Sequence, residues 1–336
     1  MTFRSAVLGA GSWGTAFGKV LCDAGGEVTL AGRRPEIADA INHDHENPDY
    51  LPGITLPERL RATTEPERAL AGADCVVLAL PAQTLRDNLG AWRSALPDQA
   101  VLISLIKGVE LGTGKRMSEV IQEVADLPDE RVAVISGPNL AREIAEGQPS
   151  ASVVACTDED TARRLQTACM TAYFRVYTNT DVIGVELGGA VKNVIALCVG
   201  IAAGLGFGDN TRAMLMTRGL AEITRLGAAL GADQHTFAGL AGLGDLVGTC
   251  SSPQSRNRTF GENLGKGMSL PEVIATTKQT AEGVKSSEAV LELARKHSVE
   301  MPITEVIAAV MHHGMSIAEA AMLLMSRSPK PERYGV

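Results

Sequence analysis

Short runs of Val, Ile, Leu and Ala recur through the first half of the chain, separated by more polar stretches of helical length. The runs predict strands at residues 6–8, 27–31, 75–80, 100–105, 131–135 and 151–155, with one more at 173–177. Continuous apolar runs, without alternation, are typical of strands in a parallel sheet buried on both faces. We therefore predict an α/β fold with a doubly wound, mostly parallel sheet.

The second half of the chain has a different pattern. After about residue 178, Ala, Leu, Met and charged residues recur at helical spacing, with almost no β-branched runs. Pro271 and Pro302 stand where helices could begin. We predict an α/β domain at residues 1–180, an all-helical domain at residues 181–326 and a frayed tail at residues 327–336.

Charge and composition limit the partners of the chain. Its 31 Lys and Arg residues against 39 Asp and Glu give a net charge of −8, so no basic field attracts nucleic acid. The six cysteines lack a C-x-x-C pair and lie mostly in apolar runs, which indicates buried thiols in a reducing compartment. The first residues lack a signal-peptide pattern. We expect a cytoplasmic protein with no membrane-spanning segment.

A glycine-rich loop follows the first predicted strand. Gly9, Gly11 and Gly14 form a G-x-G-x-x-G pattern before a helical stretch. In this context the first glycine permits the tight turn, the second lets the backbone approach a pyrophosphate, and the third lets helix and strand pack closely. The loop therefore predicts a Rossmann-type dinucleotide-binding domain, with a plain turn as the alternative.

The end of the second predicted strand bears on the choice of dinucleotide. An NAD-selective site places a carboxylate there, but this chain has Arg33 and Arg34. Two guanidinium groups suit a 2′-phosphate, so NADP is favoured and NAD is possible. The alternative is a solvated pair at a helix entrance.

A lysine interrupts the most apolar stretch of the chain. Between residues 182 and 208 the only charged residues are Glu186 and Lys192. Burial disfavours the charged form of lysine, which lets such a side chain exchange protons near neutral pH. An alcohol oxidised by hydride loss also loses its hydroxyl proton, and Lys192 could accept it. The alternative is a lysine that extends from the end of a core helix to solvent.

Other polar groups lie in small-residue settings. Lys107 follows the fourth predicted strand, Asn139 follows the fifth, and Asp245 lies in a Gly-Leu-Gly-Asp-Leu motif. The sequence Ser-Arg-Asn-Arg at residues 255–258 brings guanidinium, amide and hydroxyl donors together, and is either an anion clamp or a solvated loop. The histidines lack accompanying ligands at metal spacing, so we predict no metal site.

Five motifs in one order resemble bacterial NAD(P)-dependent glycerol-3-phosphate dehydrogenases. The motifs are GAGSWGTA at 9–16, KGVE at 107–110, ELGGAVKNV at 186–194, GLGDL at 242–246 and SRN at 255–257. The resemblance extends from residue 1 to about residue 325. It implies reversible reduction of dihydroxyacetone phosphate to sn-glycerol 3-phosphate for glycerophospholipid synthesis, in a cytoplasmic homodimer.

The resemblance also assigns roles to residues. Lys192 would be the proton donor or acceptor, with Lys107 and Asp245 also catalytic. Besides the loop glycines, the cofactor would contact Ser12, Trp13, Arg33, Arg34, Tyr50, Lys107, Ala141, Arg256 and Glu282. The phosphorylated substrate would contact Lys107, Gly137, Asn139, Lys192, Asp245, Ser255, Arg256 and Asn257.

Two positions depart from the family pattern. Asn139 stands where many bacterial members have Ser or Thr, and Thr280-Ala281 stands where hydrophobic residues are common. Two other readings also remain. One is another two-domain NADP-dependent reductase with a catalytic lysine, of the ketopantoate reductase or hydroxyacid dehydrogenase type. The other is a non-catalytic NADP-binding sensor.

Overall fold

The computed structural model describes residues 3–276, 281–328 and 331–332. Its chain divides into two compact units. Unit 1 contains the described residues up to Ile106 together with Met117–Val185, and unit 2 contains Lys107–Arg116 and the described residues from Glu186 onward. The single boundary predicted at residue 180 does not include this excursion of Lys107–Arg116. In the predicted tail, residues 329–330 and 333–336 lie outside the described residues, as does Thr280.

Unit 1 is built on one eight-stranded sheet. Its strands are β1 Arg4–Leu8, β2 Glu27–Ala31, β3 Leu60–Thr63, β4 Cys75–Leu78, β5 Val101–Ser104, β6 Val132–Ser136, β7 Ser150–Ala155 and β8 Phe174–Asn179. The strand order is β3-β2-β1-β4-β5-β6-β7-β8, and every neighbouring pair is parallel except β6 and β7. The predicted doubly wound, mostly parallel sheet is confirmed.

The helices of unit 1 connect these strands. They are α1 Ser12–Asp23, α2 Pro35–His43, α3 Pro66–Leu70, α4 Leu85–Trp92, α5 Met117–Ala125, α6 Ala141–Ala145 and α7 Glu159–Cys169. Alternate residues of one strand belong to different hydrophobic clusters: Val7 of β1 packs in one, while Ala6 and Leu8 pack in the other. Because both faces of the sheet are covered, a strand such as β4, with the sequence Cys-Val-Val-Leu, is apolar at every position.

Strand β3 was not predicted from the sequence. It reads Leu-Arg-Ala-Thr, and only its end residues Leu60 and Thr63 are buried. The strand pairs only with β2 and lies at the edge of the sheet. An edge strand exposes part of its surface, so it has no continuous apolar run to mark it.

Unit 2 is helical. Its helices are α8 Val182–Gly204, whose first turn lies in unit 1, α9 Asp209–Ala229, α10 Asp245–Ser251, α11 Arg256–Gly265, α12 Leu270–Thr276, α13 Glu282–Lys296, α14 Pro302–His312 and α15 Ile317–Met325. The predicted helical second half is confirmed. Pro302 occupies the first turn of α14, as its fixed φ favours.

Helix α8 is the central helix of the core. It is long and apolar enough to cross a membrane, but 89% of its most apolar window is buried inside the protein. The helix therefore contacts other parts of the chain, not lipid. The six cysteines are likewise buried free thiols, as predicted.

A buried carboxylate joins two helices of unit 2. Glu222 of α9 accepts hydrogen bonds from the backbone N of Ile303 at 2.6 Å, the backbone N of Thr304 at 3.2 Å and Thr304 Oγ1 at 3.0 Å. Two of these donors are backbone groups in the first turn of α14, which have no partner within their own helix. Glu222 thus caps α14 from a neighbouring helix. Its burial raises the pKa of the carboxyl to about 7.

We predict that Glu222→Ala lowers the free energy of unfolding by about 3 kcal/mol, because three buried donors lose their acceptor. The loss should appear as a lower thermal midpoint and faster amide exchange at Ile303 and Thr304. Glu305→Gln, at an exposed position of the same helix, is the matched control and should change neither.

The pH dependence gives a second readout of the same group. A carboxyl whose pKa is raised on folding stabilises the fold most below about pH 4.5, and this contribution declines as the pH rises to about 7. The stability difference between wild type and Glu222→Gln should therefore decrease over that range. Arg225 is the charged neighbour that opposes the effect of burial on this pKa. A difference that grows with pH would contradict this assignment.

Candidate active site

The glycine loop of unit 1 forms a cradle at the start of α1. Gly9 has φ of +125°, and a Cβ there would lie 2.2 Å from the carbonyl oxygen of Ala79. A Cβ on Gly14 would lie 2.0 Å from Gly9 O. A Cβ on Gly11 would meet nothing within 4 Å, so protein packing does not demand glycine there. The backbone N–H groups of the first turn of α1, which contains no acidic residue, face this open space.

A loop after α2 supports the cradle from the side. The buried Asn47 donates from Nδ2 to Ala10 O at 3.1 Å and to Thr15 Oγ1 at 2.9 Å. Ser12 Oγ donates to Tyr50 O at 3.2 Å. The predicted cofactor residues Ser12 and Tyr50 therefore lie together at the loop, and Asn47 ties the same segment to α1.

The two predicted arginines differ in their surroundings. Arg33 is exposed, whereas Arg34 donates from Nη1 to Asp49 Oδ2 at 2.6 Å and lies 5.4 Å from the centroid of the Tyr50 ring. Arg34 Nη2 and Trp13 Nε1 are buried donors with no hydrogen-bond partner among the described residues. Open space at Gly11, an exposed guanidinium and unused buried donors fit an anionic dinucleotide at this end of the sheet.

The segment after β6 contains further predicted residues. Asn139 Nδ2 donates to Ser152 Oγ at 3.1 Å, and Ser152 Oγ donates to Ser136 O at 3.0 Å. These bonds leave Asn139 Oδ1 and Ser136 Oγ as buried polar atoms without a partner in the described part of the chain. Gly137 lies between Ser136 and Asn139 in the sequence, and α6 begins at Ala141. Unused buried polar atoms of this kind call for a ligand or water contact.

In unit 2, three predicted catalytic residues meet at one buried carboxylate. Asp245 accepts from Lys107 Nζ at 2.5 Å on Oδ2 and from Lys192 Nζ at 2.8 Å on Oδ1. Lys192 also donates to Thr249 Oγ1 at 2.5 Å, and Thr249 lies one helical turn after Asp245. The side chains of Lys107, Lys192 and Asp245 are 14%, 8% and 1% exposed.

Burial and mutual attraction set the charges in this cluster. Burial lowers the pKa of Lys107 to about 8, with the neighbouring charge of Lys192 adding to the decrease and Asp245 opposing it. Burial alone raises the pKa of Asp245, but the two ammonium groups hold that pKa below its usual value. With both lysines protonated, the cluster carries one excess positive charge. Such a cluster can bind an anion and can donate a proton to an oxygen.

Close backbone packing places Asp245 beside α8. A Cβ on Gly188 of α8 would lie 2.3 Å from Ala241 O, so only glycine admits the turn Leu240–Gly244 there. Asp245 begins α10 directly after this turn. Lys192 lies one helical turn beyond Gly188 on the same helix. Gly188 of the ELGG motif therefore has a packing role that brings the charged residues together.

A second network joins three elements of unit 2. Asn257 Nδ2 donates to Asn193 Oδ1 at 3.0 Å, and Asn257 Oδ1 accepts from Gly283 N at 2.9 Å. Asn193 Nδ2 points to Lys107 O at 3.5 Å. Asn257, predicted as a substrate contact, thus has protein partners at both the Nδ2 donor and the Oδ1 acceptor of its amide. Its assignment to the substrate stays a prediction.

The residues of the predicted anion clamp are used differently. Ser255 is buried and caps α11 by accepting from the backbone N of Arg258 at 3.3 Å, while Arg258 pairs with Glu262 at 3.2 Å. Arg256 is exposed at the first position of α11. Burial raises the pKa of Glu282, against the positive charges of Arg256, Lys107 and Lys192. Arg256 and Glu282 therefore lie near the lysine cluster.

Sequence reasoning missed three residues that the structure places at these sites. Thr249 contacts Lys192, Asn193 links Asn257 to the Lys107 backbone, and Asn47 supports the glycine loop. Thr249 stands four residues after Asp245, a spacing that puts both side chains on one helix face and could have identified it. Asn193 lies inside the ELGGAVKNV motif at 186–194. The sequence did not indicate a role for Asn47, because its partners Ala10 and Thr15 are distant in sequence.

A doubly wound sheet with a glycine loop, followed by a helical unit with a buried lysine and carboxylate cluster, defines a two-domain oxidoreductase with a dinucleotide-binding domain. Two sequence profiles match the chain: the N-terminus of NAD-dependent glycerol-3-phosphate dehydrogenase matches residues 4–162, and the C-terminus of the same family matches residues 181–322. The chain belongs to the NAD-dependent glycerol-3-phosphate dehydrogenase family.

Individual relatives agree with this assignment. The chain is 70% identical over 334 residues to a glycerol-3-phosphate dehydrogenase (NAD(P)+) of Thermobifida fusca. The matched residues cover 99% of each chain. It is 66% identical to one of Streptomyces griseus, covering 98% of each. The crystal structure of a glycerol-3-phosphate dehydrogenase from Coxiella burnetii superposes with a TM-score of 0.92 at 36% identity, covering 97% of this chain and 99% of the other.

We predict that Asp245→Asn lowers the pKa of Lys107 below about 8, because burial persists while one attractive charge is lost. The pH dependence of Lys107 acylation by a small anhydride, followed by mass spectrometry, measures this pKa. Asp209→Asn at a side chain that is 92% exposed is the control. An unchanged titration of Lys107 in Asp245→Asn would show that the carboxylate does not set its charge.

Proposed function

We propose that this chain is an NAD(P)-dependent glycerol-3-phosphate dehydrogenase. Its reaction would be the reversible reduction of dihydroxyacetone phosphate to sn-glycerol 3-phosphate, in the cytoplasm, for glycerophospholipid synthesis. The observation that carries the proposal is the contact of Lys107 and Lys192 with one buried carboxylate, Asp245. Membership of the family and the high identity to named relatives support the substrate.

Lys192 would move the proton of the reaction. When bound, the nicotinamide supplies or accepts the hydride at carbon. Lysine has three N–H donors, and those of Lys192 that point to Asp245 Oδ1 and Thr249 Oγ1 account for two. The third can point at the substrate oxygen, donating its proton during reduction and receiving it back during oxidation. Asp245 and Thr249 would hold the ammonium in that orientation.

Lys107 and Arg256 would stabilise negative charge on the substrate. Lys107 shares Asp245 with Lys192, so its ammonium stands next to the proton donor. Arg256 offers an exposed guanidinium whose charge acts on Glu282 of the same site. A phosphate is the anion that such a set of donors recognises. Gly137, Asn139, Ser255 and Asn257 would complete the substrate contacts, and a homodimer would be the working form.

The cofactor contacts would come from the glycine loop and its neighbours. Gly11 and the N-terminus of α1 would hold the pyrophosphate, with Ser12, Trp13 and Tyr50 beside it. Arg33 and Arg34 would receive the 2′-phosphate, which favours NADP over NAD. Lys107, Ala141, Arg256 and Glu282 would be further cofactor contacts.

One assay separates this function from its alternatives. Initial rates of NADPH and NADH oxidation are measured with dihydroxyacetone phosphate, and with ketopantoate as the control substrate. Oxidation with dihydroxyacetone phosphate alone supports the proposal. Oxidation with ketopantoate alone would assign the chain to the ketopantoate reductase type, and tight binding without oxidation would leave a non-catalytic sensor.

We predict that Lys192→Met lowers kcat by about 10²–10⁴-fold and leaves NADPH binding nearly unchanged, because the proposed role of the ammonium is at the substrate oxygen and not at the cofactor. Steady-state rates and fluorescence titration with NADPH measure the two effects. Methionine has a similar length and keeps the packing of α8. A variant that kept more than about a tenth of wild-type kcat would move the proton transfer to another group, and Lys107 is the first to test.

We predict that replacing Arg33 and Arg34 together by Ala raises KM for NADPH by about 10–100-fold and KM for NADH much less, since only NADPH carries the 2′-phosphate. Arg33→Ala alone serves as the partial variant, because Asp49 already holds Arg34. Equal effects on both cofactors would show that these arginines contact a part the two share.

A further inference from the structure

The two lysines of the cluster are carried by different parts of the chain. Lys192 lies in the middle of α8, whereas Lys107 is the first residue of the excursion Lys107–Arg116. This excursion begins three residues after the end of β5 and is followed directly by α5, yet it packs in unit 2. The position of the Lys107 ammonium therefore depends on how this short segment is fixed to unit 2.

The excursion is a compact hairpin. Val109 forms an antiparallel bridge with Arg116, and Glu110 N donates to Lys115 O at 2.9 Å. Thr113 Oγ1 donates to the nearly buried Glu110 at 2.6 Å. Arg116 lies across the bridge from Val109, and Val109 is two residues after Lys107 in the sequence. A constraint on Arg116 therefore acts on Lys107 through few rotatable bonds.

A buried ion pair attaches this hairpin to α8. Arg116 Nη1 donates to Glu186 Oε2 at 2.9 Å, with side chains that are 14% and 1% exposed. Glu186 and Lys192 lie on the same helix, six residues and about 9 Å apart along its axis. The hairpin thus meets α8 at Glu186 through Arg116, and reaches Lys192 through Lys107 and Asp245.

We propose that Arg116 and Glu186 form a positioning pair, which fixes the hairpin on α8 so that the Lys107 ammonium stays on Asp245 beside Lys192. The pair itself touches no reacting atom. It would act through Lys107, and this inference rests on the proposed function in giving Lys107 a substrate contact. Removing Arg116 takes away a charged partner of the buried Glu186 carboxylate, which weakens the attachment of the hairpin to α8.

The consequence for Lys107 has a definite sign. Burial is the main cause that lowers its pKa to about 8, with Lys192 of α8 in the same direction and Asp245 of α10 and Glu282 of α13 opposing. A hairpin that moves away from these groups returns Lys107 to water. Its pKa then rises toward the ordinary lysine value of 10.5.

The experiment compares three variants of the full-length protein. Two are Arg116→Met and Arg116→Lys, and the third is a double variant that combines Arg116→Met with Glu186→Gln. The acylation of Lys107 by a small anhydride is followed against pH by mass spectrometry, and kcat and KM are measured for dihydroxyacetone phosphate and for NADPH. Lys266→Met, which removes the exposed pair between Lys266 and Glu262 at 2.7 Å, is the matched control.

The positioning role predicts a specific set of results. In Arg116→Met the acylation midpoint of Lys107 moves upward from pH 8. KM for dihydroxyacetone phosphate rises about tenfold or more, and KM for NADPH rises less, because the cofactor has many contacts besides Lys107. Arg116→Lys keeps the charge without the planar fork, so it should lie between Arg116→Met and wild type. Lys266→Met should match wild type in every measurement.

Other outcomes overturn the proposal. A folded Arg116→Met protein with wild-type Lys107 titration would show that the pair only stabilises the fold. If Arg116→Met alone does not fold, the neutral double variant and Arg116→Lys provide the same comparison. Failure of the proposed function is a separate result: wild type would not reduce dihydroxyacetone phosphate, while the Lys107 titration would still respond to Arg116.

Discussion

The carboxylate of Asp245 neutralises one of two ammonium groups that are otherwise forced together in a buried place. Without it, Lys107 and Lys192 would repel each other at a site with little water to screen them. The need for a shared counterion also constrains the surrounding fold. It explains why the Asp245 turn approaches α8 at a glycine, and why Lys107 sits on a segment that leaves the sheet to join the helical unit.

The two units divide the work by the kind of group they provide. Unit 1 offers backbone donors and an open cradle at the carboxyl ends of parallel strands, a general place for a dinucleotide in such sheets. Unit 2 offers a small number of buried charges with perturbed ionisation, which are specific to one chemistry. Local sequence determines the first and long-range packing determines the second. In the proposed function, most of the substrate contacts therefore come from unit 2.

This division also explains what the sequence could predict. The sheet, the glycine loop and the change to helices leave local patterns, and seven of eight strands were recognised. Strand β3 was missed because edge exposure removes its apolar run. Lys192 was conspicuous as one of two charges in an apolar helix. The meeting of Lys107 with Asp245 joins residues 138 positions apart, and only the resemblance to a family had placed them at one site.

The predicted clamp at residues 255–258 illustrates the limit of reading donors from a sequence. Four adjacent polar residues suggested one binding surface, but a helix start points successive side chains in different directions. Ser255 caps the helix, Asn257 bonds to its neighbours and Arg258 pairs along the helix. Arg256 alone retains an exposed position. The residue types alone therefore did not show how each side chain is used.

The excursion Lys107–Arg116 has a consequence for the ancestry of such enzymes. A gene cut at the end of the sheet, near residue 180, would deliver a nucleotide-binding module that carries Lys107 away from Asp245 and Lys192. Unit 2 consists of two segments that are separate in the sequence. A recombinant joined near residue 180 would therefore combine the ten residues Lys107–Arg116 of one parent with the helical half of the other.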